Sequence, residues 1–72
     1  MKTLIIRFYD ARTNSLISEI KEDAPSFNSR KLQIIEGLNL VQADYEIFED
    51  QETQDFTIQA KIPNLVVFYS TL

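Results

Sequence analysis

Ser26-Phe27-Asn28-Ser29-Arg30-Lys31-Leu32-Gln33-Ile34-Ile35-Glu36-Gly37 is the stretch on which the fold turns. Read at a helical period, Phe27, Ile34 and Leu38 stand seven and then four residues apart with Lys31 midway, forming one face of a helix. Asn28 or Ser29 then caps its start and Gly37 its end. Read at a period of two, Leu32 and Ile34 face Leu38 and Leu40 across a turn at Glu36-Gly37, and the segment is a hairpin. The spacing favours the helix, about two to three turns long and too short to persist without tertiary packing. The hairpin stands as the competing reading.

Upstream, Lys2 to Asp10 alternates as a strand does, with Leu4, Ile6 and Phe8 on one face and Ile5, Arg7 and Tyr9 on the other. Asp10 to Ser15 is a cluster of turn formers in which Asn14 is the best candidate for a left-handed backbone. Leu16 to Glu22 follows as a second strand, and Asp23-Ala24-Pro25 stops it because proline has no N–H for the ladder.

Downstream, Val41 to Glu49 reads as a strand with Val41, Ala43, Tyr45 and Ile47 on one face and Gln42, Asp44, Glu46 and Phe48 on the other. Asp50 to Thr53 turns the chain. Asp55 to Ile62 alternates, with Phe56, Ile58, Ala60 and Ile62 inward. Pro63-Asn64 is a tight turn, and Leu65 to Thr71 is a strand apolar on both faces. The predicted architecture is a single α+β domain over residues 1–72, ordered ββαβββ. It is a small antiparallel sheet of about five strands with one short helix. One short helix covers only one side of a sheet, yet Ile5, Tyr9, Val66 and Phe68 supply a second apolar face. Either the sheet curls toward a barrel or that face meets another subunit or partner.

Composition narrows the chemistry. A chain of 72 residues buries only around 60% of its unfolded surface, and such domains commonly lean on disulfides, a metal or a partner. There is no Cys and no His, so disulfides and imidazole- or thiolate-bound zinc or haem are excluded, as is nucleophilic catalysis activated by His. The single glycine, Gly37, cannot build a phosphate-cradling loop. The acidic turn Glu49 to Asp55 lacks the glycine and spacing of a calcium loop, and so small a chain offers little cleft for carboxylate catalysis. The expectation is a protein with no catalytic residues, cofactor or metal. No apolar run approaches a membrane span or signal peptide, which predicts a cytoplasmic protein.

Charge is unevenly placed. From Leu32 to Ala60 there are seven acidic residues and no basic one, within a chain of net charge −4. Arg7, Arg12, Lys21, Arg30 and Lys31 read as solvated charges, because that net charge opposes direct binding to a polyanion. Asp44 and Glu46 alternate along one strand face at ~6–7 Å, close to the spacing of successive phosphates. The expected function is a non-enzymatic protein-binding module. In its sharpest form it is a small acidic inhibitor, a phage-type anti-defence protein that blocks a nucleic-acid-handling enzyme. Asp44, Glu46, Glu49, Asp50, Glu52 and Asp55 would supply the anionic contacts, with Tyr45 or Phe48 as aromatic anchor. The alternative is a structural or regulatory homo-oligomer, such as a homodimer, assembled through Ile5, Tyr9, Val66 and Phe68, with the acids serving solubility.

Overall fold

The computed structural model describes residues 2–23 and 26–71. Its elements are β1 (Thr3–Asp10), β2 (Leu16–Asp23), α1 (Phe27–Leu40), β3 (Asp44–Glu49), β4 (Phe56–Ile62) and β5 (Leu65–Thr71). The five strands form one sheet in the order β2-β1-β5-β4-β3, every neighbouring pair antiparallel. This is the small α+β architecture that the residue pattern predicts. The sheet stays open, with β2 and β3 as its two edges, so the barrel alternative is not realised. The stop expected at Ala24-Pro25 lies outside the described residues.

The ambiguous stretch is a helix, not a hairpin, and it is longer than its spacing suggested. Ser26, rather than Asn28 or Ser29, is its N-cap: its extended backbone (φ −147°, ψ 116°) aims Oγ to accept from the Ser29 N–H at 3.5 Å. Nor does the helix end at Gly37. It runs on to Leu40 and closes with the Ala43 N–H donating to the Leu38 carbonyl at 3.0 Å and the Gln42 N–H to the Asn39 carbonyl at 3.2 Å. That pair of bonds is a Schellman motif, and the residue in the left-handed region is Gln42, at φ 56°. The strand expected from Val41 therefore starts only at Asp44.

The glycine thus stands in the helix interior while a glutamine occupies the position that suits glycine. A Cβ placed on Gly37 meets nothing within 4 Å. Gly37→Ala is expected to add about 1 kcal/mol of stability, raising the melting temperature by roughly 4–8 °C, and Gln42→Gly should add several tenths more. A thermal melt of each variant tests both; an unchanged or lower melting temperature in Gly37→Ala would contradict the helical placement.

α1 packs on one face of the sheet. Ile34 and Leu38 press onto Leu4 and Ile6 of β1, Phe56, Ile58 and Ala60 of β4, and Val67 of β5. Two adjacent cations fasten it to opposite edges: Arg30 pairs with Glu22 on β2, and Lys31 reaches Glu49 on β3 at 2.6 Å. The Tyr45 hydroxyl adds a bond to Asn39 Oδ1 at 3.0 Å. The other face of the sheet carries no helix.

Candidate functional site

The strand register arranges that uncovered face in three rows running from β2 to β3. Lys21, Ile5, Ser70, Thr57 and Phe48 form the first. Glu19, Arg7, Phe68, Gln59 and Glu46 form the second, and Leu16, Tyr9, Val66, Lys61 and Asp44 the third. Apolar groups hold the centre and carboxylates the β3 margin. Tyr9 and Phe68 meet edge-to-face with ring centroids 5.4 Å apart, and with Val66, Gln59 and Lys61 they line a shallow concavity of about 680 Å³. A smaller one of about 230 Å³ lies beside it, bounded by Asp44, Glu46, Gln59 and Lys61.

All four residues of the expected oligomer face, Ile5, Tyr9, Val66 and Phe68, lie on this side. Ile5, however, is only 2% exposed, so the chain already buries it and leaves it little surface to offer a second subunit. Tyr9, Val66 and Phe68 are half-buried. The contiguous exposed patch expected on the first and last strands is therefore smaller than its residues suggest, because β1 and β5 lie side by side inside the sheet, where neighbouring strands shade them.

The acidic set divides by face and by partner. Asp44 and Glu46 stand exposed on the uncovered face, and among the described residues neither has a cation within ion-pair distance. Phe48, 60% exposed, continues their column. Tyr45 points to the opposite, helix-covered face, because the register places it beside Ala60. It therefore does not share a surface with the acids flanking it in sequence. Glu49 also faces the helix, engaged by Lys31.

Asp50 builds its own turn, its Oδ1 accepting from the N–H groups of Glu52 (2.9 Å) and Thr53 (3.3 Å). The same construction occurs in the first hairpin, where Asp10 Oδ1 accepts from the Arg12 N–H at 2.8 Å. Each loop also closes with a residue in the left-handed region, Asn14 at φ 58° and Gln54 at φ 62°. Asp55 pairs with Lys2 at 3.0 Å. Hydrogen bonds from Lys2 first, then Thr53 and Thr71, hold its carboxyl below the ordinary value. Glu52 is exposed at the turn. Of the eight residues expected at a partner surface, Asp44, Glu46 and Phe48 form one continuous column.

Arg7, central on this face, donates to Glu19 at 3.0 Å, and that bond raises the guanidinium above its usual value. No three carboxylates among the described residues converge to hold a metal ion, and no helix among them is long and apolar enough to cross a membrane.

One surface was missed in the sequence. Leu16 and Ile17 are more than half exposed and Ile20 is 46% exposed, all on β2. The Leu16-Ile17 pair followed by Ile20 gives the hint, since it breaks the alternation expected of a half-buried strand. A shift in register between Phe8 and Tyr9 accommodates it.

No family model, no curated protein and no solved structure matches this chain.

Proposed function

We propose that this chain is a non-enzymatic protein-binding module that docks its uncovered sheet face, acidic margin foremost, on a basic surface of another protein. The observation that supports this reading is the β3 column: two exposed carboxylates with no cation in ion-pair distance among the described residues, in line with a phenylalanine held out to solvent. An aromatic ring beside charged groups free to pair is the composition of an interface anchor with a polar rim. Asp44 and Glu46 stand ~6–7 Å apart along the strand, a fair imitation of consecutive phosphates. The sharpest form of the proposal is an inhibitor of phage type that covers the nucleic-acid-binding surface of an enzyme and so keeps the polyanion out. Opposite charge would speed the encounter and make it salt-sensitive.

Capture from nuclease-treated bacterial lysate on the natural chain, beside an Asp44→Asn/Glu46→Gln/Phe48→Ser variant shown folded by circular dichroism, tests the proposal. The natural chain is expected to retain a basic nucleic-acid enzyme that a short DNA duplex displaces, and the variant to retain about tenfold less or lower still. Equal retention by both, or retention indifferent to DNA, would overturn it.

A further inference from the structure

The two edges of the sheet differ in a way that bears on self-association. An edge strand offers unpaired backbone groups to any second strand, and charged side chains usually discourage that. β3 is so protected: Asp44, Glu46 and Glu49 carry the only charges of the strand, so no antiparallel register with a second β3 sets a cation against an acid. β2 reads Leu16-Ile17-Ser18-Glu19-Ile20-Lys21-Glu22-Asp23, with a cation between acids and three exposed aliphatic side chains.

Its backbone direction can be assigned. The Asp10 N–H donates across to the Ser15 carbonyl at 2.9 Å, while the Ala11 N–H donates to Asn64, toward β5. Along β1, even-numbered residues therefore turn their N–H and C=O groups to β2, and odd-numbered ones to β5, by the alternation of an antiparallel ladder. Their β2 partners are Glu22, Ile20 and Ser18, opposite Leu4, Ile6 and Phe8. Glu19, Lys21 and Asp23 consequently aim their backbone groups out of the sheet.

Symmetric antiparallel pairing of β2 with a second β2 must match outward residues with outward residues, which limits where the two-fold axis can pass. An axis at Glu19 sets Glu19 against itself, and one at Lys21 sets Lys21 against itself. An axis at Ile20 sets Glu19 of each copy against Lys21 of the other, twice, with about four backbone hydrogen bonds between them. It also brings the two Ile20 side chains together as a non-hydrogen-bonded pair, the closer type of cross-strand contact. Glu22, next along the strand, pairs with Arg30 of its own chain; Glu19 holds Arg7 through Oε2 and turns Oε1 toward the lysine side, 3.8 Å from Lys21 of its own chain. A β2–β3 contact between copies would set three acids of β2 and one cation against a strand whose only charges are acids.

We infer that β2 is a self-complementary edge through which two copies of this chain join about Ile20 into one continuous ten-stranded sheet. Both helices then lie on one side and both uncovered faces on the other. This assembly does not depend on the acidic margin of β3 binding any partner.

The test uses charge reversal. Glu19→Lys alone gives a strand with two cations at the pairing positions, and Lys21→Glu alone gives one with two acids. Sedimentation equilibrium should find the natural chain dimerising with concentration and each single variant dissociating about tenfold more readily, or more so. Mixing the two variants should restore a 1:1 dimer, and the double variant E19K/K21E should self-associate as the natural chain does. The restored mixture also shows that both variants are folded. A natural chain that stays monomeric at millimolar concentration would overturn the inference. So would single variants that dimerise undiminished, variants that fail to pair on mixing, or a dimer that Val66→Glu breaks and Lys21→Glu does not.

Discussion

Ile58→Ala is expected to remove about 3–4 kcal/mol of stability and to leave the chain largely unfolded well below its natural melting temperature. Ile58 is 0% exposed, on β4, with Ile47 and Tyr69 as its cross-strand neighbours and the helix above it. Truncation there leaves a void that surrounding strands, paired on both sides, cannot close. A domain of 72 residues has roughly 4–11 kcal/mol in all, so the loss is a large share of the total. Urea denaturation measures it directly, and Ile47→Ala, on the half-open edge strand beside it, is the comparison. The two substitutions delete the same atoms. If Ile47→Ala destabilises as much, the core does not lie where α1 meets β4.

Thr71→Val should destabilise next most, by about 1–3 kcal/mol. The Phe56 N–H at the start of β4 is bonded to a side chain: it donates to Thr71 Oγ1 at 3.0 Å. Valine has the shape but no acceptor, and a part-buried N–H is left without its partner. The same hydroxyl approaches Asp55 Oδ1 at 3.2 Å, which adds a pH signature. A carboxyl whose value is lowered in the folded state stabilises above its unfolded value, near 3.8, and that contribution is lost as pH falls through the folded value. Acid unfolding of Thr71→Val should therefore show a shallower loss below pH ~4 than the natural chain, since one of the bonds holding Asp55 down is gone. Lys2 remains the larger cause, so part of the acid sensitivity should persist. A steeper acid limb in the variant would contradict the role given to Thr71.

The strands were legible because period-two alternation is a local signal, and the turns because Asn14 and Asn64 are residues that accept a left-handed backbone. Both do, at φ 58° and 67°. The end of the helix was not legible. Its left-handed cap falls on Gln42, which carries no such signature, whereas Gly37, which does, sits inside the helix and made it look three residues shorter. The acidic surface was half legible. Alternation placed Asp44, Glu46 and Phe48 on one side and Tyr45 on the other, but which side the helix covers is a tertiary fact, and so are the partners that occupy Glu49 and Asp55. The exposed aliphatic groups of β2 were hidden for a similar reason. A strand pattern does not say whether its owner is central or at an edge, and only strand order separates Ile5, buried, from Ile20, exposed.

That strand order has a bearing on synthesis. β5 follows the other four strands along the chain yet lies in the middle of the sheet, between β1 and β4. Without it, the β1–β2 hairpin and the β3–β4 hairpin share no ladder and are connected only through the helix. Its pairing with β1 joins residues more than fifty positions apart, as with Leu4 and Thr71. While Leu65–Thr71 is still inside the ribosome, the inner edges of both hairpins stand unpaired and the helix has no complete floor to pack on. The two hairpins therefore become one sheet only once Leu65–Thr71 is free to pair with both, a step that rests on contacts distant in sequence.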